Sequence, residues 1–92
     1  MKVEYLTSYD RSFRKLPVPL QSQVIVALDR LLDYFVTGQR PLGLGLRRLH
    51  HAYWEIRAGI DVRILFELQP DRLSMILVGN HDQIRRALKR VF

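Results

Sequence analysis

The sequence predicts a single α+β domain in which helices pack on a small antiparallel sheet. The chain has 92 residues, 48% of them apolar, a length that suits one domain with a modest core. Apolar residues recur at helical spacing in the first half and alternate as in β-strands in the second half. Short connections between the later strands indicate an antiparallel meander. The expected order is a strand, one helix or a helical hairpin, about three strands and a last helix.

The N-terminal half contains a short strand and a long helix. Residues 2–7 are rich in β-formers and predict the first strand. Asp10 or Ser12 is a candidate cap for a short helical segment before the prolines. Apolar residues spaced three or four apart then predict an amphipathic helix over residues 19–37, and Gly38 is the expected residue at its C-terminal end.

The C-terminal half reads as a loop, three strands and a helix. Residues 38–46 hold three glycines and a proline, and we expect the leucines of this loop to dock on the core. Alternating or continuous apolar patterns predict strands over 53–57, 62–68 and 73–78. A final helix is expected to be capped near Asp82 and to expose a basic side.

The charge balance points to an acidic or polyanionic partner. There are 15 Lys and Arg residues against 9 Asp and Glu, a formal net charge of +6, and all the basic residues except Lys2, Lys15 and Lys89 are arginine. Because guanidinium groups bind phosphate in a bidentate manner and stack on bases, nucleic acid is the simplest partner. The alternative is a merely basic surface.

Several classes of function are excluded by what the sequence lacks. Without cysteine there is no disulfide framework, zinc ribbon or thiol chemistry. Only three histidines are present, and the adjacent His50 and His51 would point to opposite sides of a strand, so we expect no metal and no cofactor. No apolar run is long enough to span a bilayer, and the N-terminus has no apolar signal region. We expect a cytoplasmic protein without membrane contact.

One face of the predicted strands collects charged side chains. If the long helix covers the even-numbered side chains, the free face carries Tyr53, Glu55, Arg57, Asp61 and Arg63. A hairpin between these strands would place the two arginines side by side, as in an anion site. The alternative is that Glu55–Arg63 or Arg57–Asp61 are cross-strand ion pairs on a solvated surface.

His81 lies at a predicted junction between a strand and the last helix. At that place its imidazole could exchange a proton with a ligand near the helix N-terminus. The alternative is that it is a helix cap or an ordinary surface residue.

Five segments together resemble the RelE/ParE superfamily of toxins. The opening Tyr-Asp-Arg-Ser-Phe-Arg-Lys-Leu-Pro at 9–17 is similar to that family's Phe-Asp-Arg-Ser-Phe-Lys-Lys-Leu-Pro. Segments 46–49, 54–57 and 61–66 resemble its strands, and Val-Gly-Asn-His-Asp at 78–82 resembles its Val-Gly-Thr-His-Asp segment. The resemblance runs in order from about residue 3 to 90. It implies one RelE-like toxin domain over residues 1–92 with the order β-α-α-β-β-β-α.

The resemblance implies the toxin of a type II toxin–antitoxin pair. RelE-like members are endoribonucleases that cut mRNA without a metal, many of them in the ribosomal A site. The ribose 2′-hydroxyl attacks the adjacent phosphate and leaves a 2′,3′-cyclic phosphate, which requires a base, cations for the phosphate charge and an acid. The implied partners are a cognate antitoxin, mRNA and the ribosome, with possible hetero-oligomers of toxin and antitoxin.

The resemblance also implies roles for particular residues. Arg63 matches the arginine that binds the scissile phosphate, Arg57 a second arginine, and His81 the proton-transfer histidine of the YafQ- and YoeB-like branch. Glu55 is a candidate base or orienting residue. The expected RNA-binding cations are Arg47, Arg48, Arg85, Arg86, Lys89 and Arg90. This branch often has an aromatic residue in or after the last helix, and Phe92 is the candidate.

Two other functions stay open at this point. ParE-like relatives share the fold but inhibit gyrase by binding. A decayed toxin would retain only antitoxin binding.

Overall fold

The computed structural model describes residues 1–90, which form three helices and five strands in an α+β arrangement, as predicted. The elements are β1 (Lys2–Tyr5), α1 (Thr7–Arg14), α2 (Val18–Thr37), β2 (Arg47–His50), β3 (Tyr53–Gly59), β4 (Val62–Leu68), β5 (Arg72–Gly79) and α3 (His81–Lys89). The prediction for Phe92 lies outside the described residues.

All five strands belong to one sheet with the order β1-β5-β4-β3-β2. The strands β3 to β5 form the predicted antiparallel meander. The strand β2, which the predicted order does not include, extends it beyond β3. The first strand differs from the expectation because it pairs in parallel with β5, which makes the sheet mixed. The strands β1 and β2 lie at opposite edges of the sheet. The two helices between them provide a connection long enough to span the sheet, which a short turn cannot do.

The core lies between the helices α1 and α2 and one face of the sheet. We call it the even-numbered face, because it carries the even-numbered side chains of β3 and β4. The stripe of α2 formed by Val24, Ala27, Leu28 and Leu31 is buried, as helical spacing predicts. The fully buried side chains on this face of β3 and β4 are Ile56, Ile64 and Phe66. Leu73 and Met75 of β5 lie on the same face, because they pair with Leu68 and Phe66.

Helix ends differ in detail from the predictions. Neither Asp10 nor Ser12 caps α1, which begins at Thr7. The end of α2 at Gly38 is confirmed, with this glycine in the left-handed conformation (φ 75°). Asn80, not Asp82, caps α3, where it forms a capping box with a glutamine three residues later.

Ser12 instead contacts the edge of β5. Because β1 stops pairing at Met75, the next backbone groups of β5 need other partners. The hydroxyl of Ser8 donates to the carbonyl of Ile76 at 2.5 Å, and the Ser12 hydroxyl accepts from the backbone N–H of Val78 at 3.0 Å. Two serines of α1 thus bond to the edge of β5 beyond the point where β1 stops pairing.

The loop over residues 38–46 docks on the core through Leu44, which is buried. The expectation does not hold for Leu42, which is 93% exposed. The Leu44 carbonyl accepts a 2.8 Å hydrogen bond from the backbone N–H of Arg57. The end of the loop therefore runs along β3 and leads into β2.

Candidate functional site

The odd-numbered face of the sheet is only partly free, because α3 packs on β4 and β5 there. Leu65 and Ile84 are both buried, and neither belongs to the main apolar cluster of the even-numbered face. The expectation of an uncovered face is therefore wrong for β5 and part of β4. The rest of the odd-numbered face, on the side of β3 and β2, remains open to a ligand.

Arg57 and Arg63 lie directly opposite each other in the β3–β4 register, as predicted. Gly79 of β5 pairs with Arg63 on the other side. Gly45 lies beside Arg57, with φ +65°, and a Cβ added there would be 3.0 Å from the Arg57 Cβ. Each of the two adjacent arginines thus has a glycine as its outer neighbour. The space beside Gly79 is filled by Gln83, because a Cβ added to this glycine would lie 2.6 Å from Gln83 Oε1.

The two arginines differ in their partners. Arg63 Nη1 donates to Glu55 Oε2 at 2.6 Å, and the two side chains are 17% and 4% exposed. Arg47 Nη2 lies 3.6 Å from the same carboxylate oxygen. The cross-strand pair Glu55–Arg63, one of the alternatives for this face, is therefore formed. The pair Arg57–Asp61 is not, since no ion pair involves either residue within 1–90.

The Glu55–Arg63 pair leaves part of the guanidinium unused. The Arg63 Nε is buried and has no hydrogen-bond partner among the described atoms. A guanidinium carries five N–H donors, so Glu55 occupies only one edge of it. Arg63 is held in place by Glu55, whereas Arg57 is exposed and has no acidic partner among the described residues.

Tyr53 and Asp61 do not join the arginines. Tyr53 pairs with Glu67 nearer the opposite end of β3 and β4, where burial and then the Glu67 carboxylate raise the pKa of the tyrosine. Asp61 lies at the β3–β4 turn and lines a cavity of about 410 Å³ together with Leu20 and Gln23. Two of the five side chains predicted for this face thus lie outside the site.

His81 is the first residue of α3, two positions after the glycine that pairs with Arg63. Because Asn80 caps the helix, His81 is not the cap. His81 is half-buried and shares a side of α3 with Arg85, four residues later. The fold therefore brings His81 to the same end of the sheet as Arg57 and Arg63.

The predicted RNA-binding cations fall into separate groups. Arg47 contacts Glu55, but Arg48 pairs with Trp54 and lies on the opposite face, where its Nε donates to the His51 carbonyl at 2.6 Å. Arg47 and Arg48 therefore do not form the single patch that the prediction assumed.

The basic residues of α3 are also divided. Arg86 and Arg90 line cavities beside α1, whereas Arg85 and Lys89 line none of these cavities. All four are exposed. Only Arg85 and Lys89 therefore lie toward the flank of α3 that carries His81.

Two features of the site were missed by sequence reasoning. One is the role of Arg47 as a second partner of Glu55, and the other is the pair of glycines that flank the arginines. The register of β2 on β3 would have indicated the Arg47–Glu55 contact, and the register of β4 on β5 would have indicated Gly79 beside Arg63. Both pairings contain a bulge, which the sequence does not reveal.

Metal ligands and membrane spans were also sought in the described part of the chain. No group of three or more His, Cys, Asp or Glu side chains is placed to hold a metal ion among residues 1–90. None of the helices in the same range has the length and hydropathy required to cross a membrane.

The fold is that of known toxin–antitoxin proteins. A chain of the RelB–RelE antitoxin–toxin complex from Methanococcus jannaschii superposes with a TM-score of 0.69 and 14% identity, covering 91% of this chain and 96% of that one. The YoeB/ParE toxin from Agrobacterium tumefaciens superposes with a TM-score of 0.65 and 18% identity, covering 88% of this chain and 99% of that one. YafQ from E. coli superposes with a TM-score of 0.63 and 14% identity, covering 90% of this chain and 96% of that one.

These likenesses are structural, at 14–18% sequence identity. No protein-family model matches the chain, and no curated protein sequence matches it. The predicted RelE-like fold is confirmed by the solved structures, which cover nearly the whole of both chains in each pair.

Proposed function

We propose that this protein is the toxin of a type II toxin–antitoxin pair and a metal-independent endoribonuclease that cleaves mRNA. The observation that carries the proposal is the pairing of Arg57 with Arg63 across β3 and β4, with His81 at the same end of the sheet. The shared fold with RelE, YoeB and YafQ structures supports the same class.

In the proposed reaction the ribose O2′ loses its proton and forms a bond to phosphorus, while the bond from phosphorus to O5′ breaks and O5′ takes up a proton. Arg57 and the free N–H groups of Arg63 bind the non-bridging oxygens as their charge increases. In this proposal the His81 imidazole, at the same end of the sheet, transfers the proton.

Glu55 fits the role of an orienting residue better than that of a base. Its carboxylate is 4% exposed and already accepts from Arg63, with Arg47 close to the same oxygen. A base must reach the 2′-hydroxyl, and this carboxylate is enclosed by the two guanidinium groups. Glu55 instead holds the Arg63 guanidinium in one orientation on the sheet.

The RNA would approach across the open part of this face. Arg47, Arg85 and Lys89 are exposed around it and suit contacts with the phosphate backbone. Arg48, Arg86 and Arg90 point elsewhere and are not part of the proposed RNA path. Ribosome-bound mRNA is the substrate that the resemblance to RelE-like toxins suggests.

A cognate antitoxin is the proposed protein partner. Structures with the same fold include the RelB–RelE and DinJ–YafQ antitoxin complexes. The outer surface of α2 exposes four large apolar side chains, which are Val18, Ile25, Val26 and Val36. Exposed apolar side chains grouped on one surface are typical of a protein interface. This surface is suited to burial against an antitoxin.

The test is cleavage of a defined mRNA by purified wild-type protein and by His81→Ala, with mapping of the new ends. We expect the cleavage rate to fall by about 10²- to 10⁴-fold in the variant, as for loss of a general acid or base. His51→Ala, an exposed histidine in the β2–β3 turn, is the matched control and should cleave at the wild-type rate. Equal rates for His81→Ala and wild type would remove His81 from the mechanism.

A non-enzymatic, ParE-like toxin that inhibits gyrase is the second candidate, and a catalytically decayed toxin that only binds its antitoxin is the third. The buried Glu55–Arg63 pair favours them, because the carboxylate neutralises one of the two phosphate-binding arginines. A supercoiling assay with purified gyrase separates the second from an endoribonuclease. Absence of growth arrest on expression, together with antitoxin binding, would favour the third.

A further inference from the structure

The sheet formed by residues 1–90 has two outer strands, β1 at one edge and β2 at the other. Backbone N–H and C=O groups along such an edge can pair with a further strand. The four residues of β2 include Arg47 and Arg48 but no acid, so two copies of the chain meeting there would bring like charges together. The four residues of β1 include one lysine and one glutamate, and a second copy meets no such excess of one charge.

The backbone groups of β1 that face outward belong to its odd-numbered residues. The N–H groups of Lys2 and Leu6 donate to carbonyls on the β5 side at 2.9 and 3.0 Å. Because successive residues of a strand direct their backbone groups to opposite sides, the N–H and C=O groups of Val3 and Tyr5 face away from β5. The outer edge of β1 therefore offers donors and acceptors at these two residues.

The two faces of β1 differ in character. Val3 and Tyr5 pair with residues of β5 whose side chains are fully buried, so the odd-numbered side chains of β1 lie on the core face. On this face Met1 and Tyr5 are still 65% and 47% exposed. Lys2 and Glu4 lie on the opposite face. A strand added at this edge would meet apolar side chains on one face and charged side chains on the other.

The charges of β1 select one register for a second copy. Two identical edge strands related by a two-fold axis run antiparallel, and outward-facing residues then lie opposite each other. Val3 can therefore lie opposite Met1, Val3 or Tyr5 of the second copy. The first register brings the two Lys2 side chains together, and the third brings the two Glu4 side chains together. The middle register instead places each Lys2 opposite a Glu4 and each Met1 opposite a Tyr5.

We infer that two copies of this chain associate through β1, with Val3 opposite Val3 and Lys2 opposite Glu4 of the other copy, so that the two sheets become continuous. The inference goes beyond the proposed function and does not depend on it, because β5 separates β1 from Arg63 on β4. Four residues form a small interface, so we expect a weak dimer with a dissociation constant of about 10 µM to 1 mM.

The experiment is sedimentation equilibrium of the full-length protein without an N-terminal tag. A salt concentration of about 0.15 M screens the long-range repulsion between two basic copies. The test variant is Lys2→Glu, and the matched control is Lys15→Glu, an exposed lysine at the C-terminal end of α1. Both variants change the net charge equally. We expect Lys2→Glu to dimerise about tenfold more weakly than wild type and Lys15→Glu within about threefold of it, because only Lys2→Glu places acid against acid.

A mixture of two variants tests the register itself. Glu4→Lys alone should also dimerise about tenfold more weakly, because two lysines then face each other. One copy of Lys2→Glu beside one copy of Glu4→Lys has opposite charges at both positions. The mixture should therefore recover an affinity within about threefold of wild type.

Val3→Pro tests the backbone contribution. Proline at this position removes an outward N–H and leaves in place the N–H groups that donate on the β5 side. The dimer of this variant should be at least about tenfold weaker than that of wild type.

Three results would overturn the inference. The first is a wild-type protein that stays monomeric up to about 1 mM. The second is equal weakening in Lys2→Glu and Lys15→Glu, which would show a dependence on net charge alone. The third is a mixture of two folded variants that recovers no affinity.

Circular dichroism melts establish that each variant is folded. Glu4 also lies 3.6 Å from Arg72, so Glu4→Lys is the variant most exposed to a loss of folding. In that case the comparison of Lys2→Glu with Lys15→Glu, together with Val3→Pro, decides the question.

Discussion

Even-numbered and odd-numbered side chains of β3 and β4 face opposite environments and have different functions. On the even side Ile56, Ile64 and Phe66 are fully buried under α1 and α2. On the odd side the same strands carry Glu55, Arg57 and Arg63, of which only Glu55 is buried. The strands thus supply the stability of the fold with one face and charged chemistry with the other, because successive side chains point in opposite directions.

A second difference exists within the odd face. Arg63 is held by a buried carboxylate, whereas its neighbour Arg57 has no acidic partner within residues 1–90. The two arginines are adjacent in the sheet, yet one is tied to the structure and the other is free to move to a ligand. Removal of Arg63 should therefore lower both stability and activity, whereas removal of Arg57 should lower activity alone.

The largest expected effect comes from the even face. Phe66→Ala removes a fully buried ring from the core and should lower the free energy of unfolding by about 3–5 kcal/mol. Urea unfolding followed by circular dichroism measures the change. Glu67→Ala, the next residue on the other face, should cost less than about 1.5 kcal/mol. Similar losses for the two variants would contradict the division between the faces.

The second prediction separates the two arginines. Arg63→Ala leaves Glu55 buried with only the more distant Arg47, so it should cost about 2 kcal/mol of unfolding free energy. Arg57→Ala should change it by less than about 0.5 kcal/mol, since the side chain is exposed. Both variants should cleave RNA at least about 100-fold more slowly if both bind the phosphate.

A double variant checks the cause of this loss. Arg63→Ala combined with Glu55→Leu removes the unpaired carboxylate and should regain much of the stability. No recovery in the double variant would show that packing of the arginine stem, and not the buried charge, is responsible.

The smallest effect concerns pH. Tyr9 of α1 packs in the core under the even-numbered face. Burial, followed by the neighbouring Tyr5 and Asp10, raises the pKa of Tyr9 to about 12. In the unfolded chain this tyrosine ionises near pH 10, so between pH 10 and 12 the unfolded state binds fewer protons than the folded state. Stability is therefore present in full below pH 10 and decreases above it, by at most about 1.4 kcal/mol per pH unit.

Unfolding by urea at pH 9, 10 and 11 measures the decrease. Tyr9→Phe should reduce the fall in unfolding free energy with pH, although other tyrosines still contribute to this fall. A Tyr9→Phe curve as steep as that of wild type would show that the tyrosine is not the source.

The elements that depend on local sequence were predicted well. The helix α2 and its end at Gly38 follow from apolar spacing and a residue that adopts positive φ without strain. The strand β4 matched its predicted range, and the register opposite a short turn placed Arg57 against Arg63. The caps were less accurate, because Asp10, Ser12, Asn80 and Asp82 are all acceptable capping residues by type.

The sequence itself determined which residues form most of the helices and strands and which face of each strand is apolar. It also determined which arginines pair across a hairpin. These features depend on neighbours along the chain. Only the tertiary structure decided that β1 pairs in parallel with β5, that α3 covers part of the charged face, and that Glu55 is buried between Arg63 and Arg47. These depend on contacts between segments distant in sequence, where several pairings satisfy the same apolar pattern and packing of the whole chain selects one.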